Sequence, residues 1–308
     1  MSLERALELA ERGRGTTRPN PVVGAVLVRD GTVVAEGWHE RKGGPHAEVV
    51  ALDAAGERAR GATLYVTMEP CAHHGTTPPC TEALLAARVA KVVAGSLDPN
   101  PEARGGLDVL RAAGVEVELE DSFAARAQNE AWRTWVSLQR PFVTLKLALT
   151  IDGRVTTPGS RWISGDESRR RVHELRAQVD AVAVGMGTVR ADDPQLTARD
   201  VETARQPRRL AFGHGETELE LREGTLDDEL RALAGEGVQS LLLEGGPTLA
   251  ESFLRAGLVD KLMLFVAPHV AGEGVLFAPR LDEPLRLTRT TVERLGEDVL
   301  LTAYVHEP

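Results

Sequence analysis

Three stretches of this chain bring together residue types that hold a metal and move protons. His46 and Glu48 stand two apart in Pro45-His46-Ala47-Glu48, Cys71 ends Glu69-Pro70-Cys71, and Cys80 ends Pro78-Pro79-Cys80. One imidazole and two thiolates give a tetrahedral zinc three ligands and leave its fourth position open for water. Water polarised in that way becomes a nucleophile near neutral pH. Glu48 is not required as a ligand, so its carboxylate is the candidate proton shuttle. Two other readings compete. Cys71 and Cys80 are the chain's two cysteines and could form a disulfide, which a reducing compartment disfavours. His73 and His74 lie between them and could complete a closed structural zinc site, but such a site has no use for Glu48.

The elements around these groups follow from periodicity and breakers. Leu3, Ala6, Leu7 and Ala10 predict a helix over 2–13. Pro19 and Pro21 force a loop that holds Asn20. Its amide could donate to and accept from a pyrimidine edge, or bond its own backbone as a turn asparagine. Strands 22–28 and 32–36 pair through Arg29-Asp30-Gly31, a hairpin signal. After Gly43-Gly44-Pro45 a helix opens, placing His46 and Glu48 in its first turn, where the helix dipole favours an anion. Strand 63–67 delivers Cys71 beyond its C-terminal end, the edge where open α/β sheets bind ligands. Thr81 begins a helix with Cys80 at its N-terminus, which lowers a thiol's pKa. Strand 91–94, helix 106–113, strand 115–119 and helix 122–135 follow.

Leu138-Gln139-Arg140-Pro141 marks a boundary, giving domains 1–140 and 141–308. The second half reads as strand 142–148, helix 166–177, strand 181–185, a glycine-rich turn Gly185-Met186-Gly187-Thr188, strand 207–212, helix 226–234 and strand 240–243. Glu244-Gly245-Gly246-Pro247-Thr248 then leads into a helix to 256, a strand 261–267 and a β-rich tail to 305. Glycines between strand and helix let a backbone approach a phosphate at the helix N-terminus. A plain tight turn is the competing reading, because the pattern is not G-x-G-x-x-G. Both halves are α/β, strands alternating with helices.

The 308 residues suffice for two cores. A net charge of −10 argues against nucleic acid as the main partner. The apolar runs are too short to span a membrane, and the N-terminus has no signal-peptide core; a cytoplasmic protein is expected.

Taken together, these motifs resemble the family of bifunctional riboflavin-biosynthesis enzymes that join a pyrimidine deaminase to a ribosylaminopyrimidine reductase. The resemblance spans nearly the whole chain. It rests on Thr17-Arg18-Pro19-Asn20-Pro21-Val22-Val23-Gly24, on Pro45-His46-Ala47-Glu48, on the Glu69 to Cys80 run and on Asp98-Pro99-Asn100-Pro101. Zinc deaminases share His-x-Glu and a Pro-Cys, but commonly with a C-x-x-C pair; eight residues separate Cys71 from Cys80 here, a gap particular to this family. In the second half it rests on Leu145-Lys146-Leu147 with Ile151-Asp152-Gly153-Arg154, on Gly187-Thr188-Val189-Arg190-Ala191-Asp192-Asp193-Pro194 and on Glu244-Gly245-Gly246-Pro247-Thr248-Leu249.

The resemblance implies a cytidine-deaminase-like three-layer domain followed by a dihydrofolate-reductase-like domain. It implies one zinc per chain on His46, Cys71 and Cys80, with Glu48 as proton shuttle, and NADPH as the second cofactor. NADPH contacts are expected at Ala148, Trp162, Thr188 and Asp192, and at Gly246, Pro247, Thr248, Leu249, Ala250, Glu251 and Ser252. Substrate contacts are expected at Ser160, Arg176, Leu196, Arg199 and Glu244, with Arg176 and Arg199 as the candidates for a 5-phosphate; Asn20 is the candidate in the deaminase. The implied substrate is 2,5-diamino-6-(5-phosphoribosylamino)pyrimidin-4(3H)-one, deaminated and then reduced in its ribosyl chain. A homo-oligomer, dimer or tetramer, is expected. The chain departs from the family at Arg104-Gly105-Gly106, at Phe212-Gly213-His214-Gly215 where an acidic-hydroxyl pair is usual, and in a short segment between Arg199 and Leu241. A deaminase with a degenerate reductase is therefore the alternative. A nucleic-acid deaminase and a zinc-stabilised binding module fit the charge and the second half less well.

Overall fold

Apolar residues alternate through short β-branched runs and recur at helical spacing between them, and the chain folds accordingly into strands covered by helices. The computed structural model describes residues 2–74 and 78–308; Gly75-Thr76-Thr77, inside the Cys71 to Cys80 run, lie outside the described residues. The chain divides into two compact units, one ending at Leu138 and one of Gln139–Glu307.

The first unit runs α1 (Ser2–Glu11), β1 (Gly24–Arg29), β2 (Thr32–Trp38), α2 (Ala47–Ala55), β3 (Thr63–Val66), α3 (Cys80–Ala86), β4 (Lys91–Ala94), α4 (Gly106–Ala112), β5 (Glu116–Leu119), α5 (Phe123–Gln128) and α6 (Glu130–Leu138). Its sheet has the order β2-β1-β3-β4-β5. β1 is antiparallel to both neighbours, while β3, β4 and β5 are parallel. Arg29 pairs with Thr32, leaving Asp30-Gly31 as a two-residue loop with φ of 50° and 76°, the geometry that suits the twist of a tight hairpin. On one face Leu27, Leu64 and Val92 pack with Ala51, Leu84 and Leu110 of the helices. On the other, α1 lays Leu3, Ala6 and Leu9 on Val26. The result is three layers. Leu9, rather than the expected Leu7, completes the inward stripe of α1.

Two local features position the chemistry. Gly37 of β2 lies directly under α2: a Cβ there would stand 2.4 Å from the Ala47 carbonyl oxygen and 2.5 Å from the Ala51 nitrogen. Gly37→Ala must lift α2, and with it Glu48, off the sheet. The expected cost is about 1–3 kcal/mol, as for other overpacked sites, read as a lower melting temperature by calorimetry. An unchanged melting temperature would show that α2 is not seated by this contact. The second feature is Asn129, which breaks the expected helix 122–135 into α5 and α6. It leaves helical geometry (φ −118°, ψ 26°), and its buried carboxamide accepts from the Val22 N–H at 2.9 Å and donates to the Val22 carbonyl at 2.8 Å. It thereby ties down the loop that carries Asn20.

The second unit runs β6 (Phe142–Thr150), α7 (Asp166–Gln178), β7 (Ala181–Gly185), α8 (Met186–Asp192), β8 (Arg208–Phe212), β9 (Glu220–Arg222), α9 (Leu226–Gly235), β10 (Ser240–Leu243), α10 (Pro247–Arg255), β11 (Lys261–Ala267), β12 (Thr288–Leu295) and β13 (Asp298–Tyr304). The sheet order is β12-β13-β11-β6-β10-β7-β8-β9. It is parallel from β11 to β9, with an antiparallel β12–β13 margin. Continuous apolar runs such as Leu241-Leu242-Leu243 are fully buried, as parallel strands covered on both faces must be. Two expectations change here. Gly185-Met186-Gly187-Thr188 is not a free turn: β7 ends at Gly185 and α8 starts at Met186. β9 had no period to betray it, being three residues long and held by pairing with β8. Arg140 belongs with the second unit. Both its terminal nitrogens donate to buried Asp260 at 2.7 Å, and Asp260 also accepts from the Val143 N–H.

Among the described residues no helix is long and apolar enough to cross a membrane.

Candidate active sites

In the first unit, the ends of α2, β3 and α3 converge. His46 caps α2 with extended backbone (φ −72°, ψ 160°) because Pro45 cannot extend the helix backward. Pro79 likewise stops α3, so that Cys80 is its first residue. His46 Nδ1 lies 3.2 Å from Cys80 Sγ and 3.6 Å from Cys71 Sγ. All three donor atoms fall within 4.8 Å of one another. Zn–N of about 2.1 Å and Zn–S of about 2.3 Å demand separations of this size around a tetrahedral ion. The Cys80 N–H donates to Cys71 Sγ at 3.4 Å, which favours the thiolate. The hydrogen bond from the Cys80 side chain, with those from His46 and the Cys80 N–H behind it, pulls the Cys71 thiol down to about 4 against its burial. Cys80 was expected low at its helix N-terminus. Facing the Cys71 sulfur and buried, it is instead held well above the ordinary thiol range. Two sulfurs this close cannot both ionise without a cation between them, so the donor set fits zinc. Both cysteines are free of disulfide bonds, and His74 pairs with Glu82.

Glu48 is 3% exposed. Burial raises its carboxyl pKa against the opposing pull of His46, and its side chain reaches Cys80. His39, not anticipated from the sequence, is buried beside His46, ring centroids 5.5 Å apart. Its Nδ1 bonds the Pro45 carbonyl at 3.0 Å, which leaves Nε2 as the acceptor. Asn20 Nδ2 lies 3.5 Å from that nitrogen. Asn20 therefore addresses His39 through its side chain rather than only its own turn. The signal for His39 was available: a histidine between the end of a strand and the Gly43-Gly44-Pro45 break.

The second unit opens a cleft of about 930 Å³ at the C-terminal ends of β6, β7 and β10. Of the expected cofactor residues, Ala148, Trp162, Thr188, Asp192, Gly246, Pro247, Thr248, Leu249 and Ser252 line it, as do Arg176, Leu196, Arg199 and Glu244 of the expected substrate set. Three of the expected residues are not part of its lining. Ala250 faces the core with no exposure, and its N–H is spent on the Gly246 carbonyl inside α10. Glu251, one residue further around the helix, accepts from the Arg280 N–H at 3.2 Å. Ser160 is exposed and folds back on Trp162, donating to its carbonyl at 2.8 Å. A run read as contiguous contacts is split by the helical period. Trp162, 56% exposed, is flanked by the Arg161 and Arg169 guanidiniums at 5.3 Å and 5.2 Å.

The floor of the cleft is a charge network. Arg176 donates through Nε at 2.6 Å and NH2 at 3.0 Å to Glu244, and Lys146 Nζ stands 3.7 Å from the same carboxylate. Burial alone raises Glu244; Lys146 and Arg176 outweigh it and hold its carboxyl below the usual range. Burial lowers the Lys146 amine despite Glu244. A lysine alternating with leucines in a buried strand was a legible signal for this position.

Two family models match. The RibD C-terminal domain covers residues 141–301, and the cytidine and deoxycytidylate deaminase zinc-binding region covers residues 2–96. The riboflavin biosynthesis protein RibD of Aquifex aeolicus is 41% identical over 97% of this chain and 96% of its own length. The chain belongs to the RibD family. The Escherichia coli RibD is likewise 41% identical, with 97% of each chain covered. The solved structure of Acinetobacter baumannii RibD superposes with a TM-score of 0.85 at 36% identity, covering 98% of this chain and 97% of that one. The two units are thus a zinc-binding deaminase domain of cytidine-deaminase type and a RibD reductase domain of dihydrofolate-reductase-like fold. Together they form a bifunctional enzyme of riboflavin biosynthesis.

Proposed function

We propose that the first unit deaminates 2,5-diamino-6-(5-phosphoribosylamino)pyrimidin-4(3H)-one and that the second reduces the ribosyl chain of the product to ribityl with NADPH. The observation that carries the reading is the meeting of His46, Cys71 and Cys80 beside buried Glu48. His46, Cys71 and Cys80 would hold one zinc, which would supply Lewis-acid activation of water. Glu48 takes the proton released from water and delivers it to the departing nitrogen, which leaves as ammonia. Its raised pKa suits a group that must hold that proton between the two transfers. Asn20, oriented by His39, presents its amide to the pyrimidine edge.

In the reductase, bound NADPH would supply the hydride that reduces the ribosyl chain. Glu244 cannot face the cofactor's phosphates without repulsion. Braced by Arg176 and Lys146, it is placed to accept from sugar hydroxyls. The N-terminus of α10, where Gly246 is extended and Pro247 opens the helix, would hold the cofactor's pyrophosphate. A Cβ on Gly246 would reach within 3.4 Å of Thr188 Oγ1. Gly246→Val is therefore expected to raise the KM for NADPH at least about tenfold, the cost of roughly one lost charge-assisted hydrogen bond, and to leave deamination untouched. An unchanged KM places the cofactor elsewhere.

The whole reading is tested by ammonia release from the diaminopyrimidine, followed by NADPH oxidation that depends on the deaminated product. Ammonia without NADPH oxidation would leave a deaminase alone.

A further inference from the structure

We propose that His173 is a phosphate-binding residue of the reductase cleft, holding a sugar phosphate of the substrate together with Arg199; this rests on the reductase reading above. α7 presents His173 and Arg176 one turn apart toward the segment that carries Leu196 and Arg199. The sequence put the phosphate on Arg176 and Arg199. Arg176, however, is committed: Nε and NH2 serve Glu244, and NH1 donates to the Thr197 carbonyl at 3.1 Å.

His173 Nδ1 lies 3.2 Å from the Arg199 backbone nitrogen and 3.1 Å from the Thr197 carbonyl oxygen. The tautomer follows from these neighbours. The Arg199 N–H is directed at Nδ1 and donates to it, so a proton on that nitrogen would confront it. Nδ1 is thus the acceptor and the ring's N–H sits on Nε2. Burial first, then the Arg176 and Arg199 charges, lower the pKa of the ring and keep it neutral. Among the described residues Nε2 has no protein partner, and neither has the Arg199 guanidinium, while both side chains border the cleft. Glu244, the nearest carboxylate in that network, is offset by Arg176 and Lys146 and does not repel an anion. An oriented imidazole N–H beside a guanidinium matches a phosphate monoester, which accepts from both at once.

The test uses the full chain, with His173→Ala and His173→Asn. Ribose 5-phosphate binding is read by calorimetry, with ribose as control. Reductase kinetics are read with the phosphorylated pyrimidine and its dephosphorylated form, and NADPH affinity by fluorescence. Both variants should weaken ribose 5-phosphate binding and raise the KM for the phosphorylated pyrimidine about 10- to 100-fold. Turnover number, NADPH affinity, use of the dephosphorylated form and deaminase activity should hold, the last reporting an intact fold. Asparagine keeps an acceptor where Nδ1 stood but puts no donor in the cleft. Wild-type behaviour of His173→Asn would reduce the imidazole to a brace for the Arg199 segment and overturn the proposal. So would a loss confined to NADPH affinity, or an equal loss for both forms of the pyrimidine. A wild-type chain that binds ribose 5-phosphate yet reduces no pyrimidine refutes the reductase reading and not the phosphate site. A wild-type chain that reduces both forms of the pyrimidine equally well and ignores ribose 5-phosphate does the reverse.

Discussion

Glu48→Gln should leave a chain that retains its zinc and its reductase turnover but releases ammonia at one-hundredth of the normal rate or less, ~100-fold being the lower end of what a positioned general acid–base contributes. The amide has the carboxylate's shape and fits the same buried place on α2, where Glu48 is 3% exposed. It cannot accept the proton of water or return one to the leaving nitrogen. The substitution also removes a buried group whose ionised form is costly, so the fold should not suffer. Metal content and thermal unfolding are measured beside ammonia release. A loss below about tenfold, with zinc retained, would remove Glu48 from the proton path.

Cys80→Ser should cost the deaminase its metal. Cys80 is fully buried at the first position of α3, with its sulfur 3.2 Å from His46 Nδ1. A serine hydroxyl does not ionise there to replace the thiolate. Losing a direct ligand should weaken zinc by more than the 10- to 100-fold typical of outer partners, so purified protein should carry far less than one zinc per chain, with ammonia release lost and reduction of the deaminated pyrimidine preserved. Full zinc occupancy in this variant would transfer the ligand role to another residue, with the His73-His74 pair the first to examine. A loss of both activities together would point to unfolding rather than to demetallation, and calorimetry separates the two.

Much of this site was readable because its chemistry is carried by residue types and local spacing. His-x-Glu at a helix start, a cysteine after a strand and another before a helix are each set by a few neighbouring residues and their prolines. The same holds for the hairpin at Asp30-Gly31, whose turn residues dictate its register, and for the parallel strands of the second unit, whose unbroken apolar runs have no other use. The sequence alone pointed to most of the order of elements, to the His46, Cys71 and Cys80 cluster and to the glycine turn before α10, but not to β9 or to the break at Asn129.

Tertiary structure decided what depends on distant partners. Whether Asn129 continues a helix or breaks it turns on Val22, more than a hundred residues away. Whether Arg176 is free for a phosphate turns on Glu244 and Thr197, which reach it from a strand end and a loop. The helical period sends Ala250 into the core and Glu251 to Arg280 while Ser252 faces the cleft, so adjacency in the chain did not mean a shared place in the cleft. The Cys71 and Cys80 sulfurs, one following β3 and one opening α3, come to share one environment with His46 only when those elements are packed. The roles of His39 and His173 rest on which ring nitrogen meets which backbone group, and that is settled only when the elements are packed.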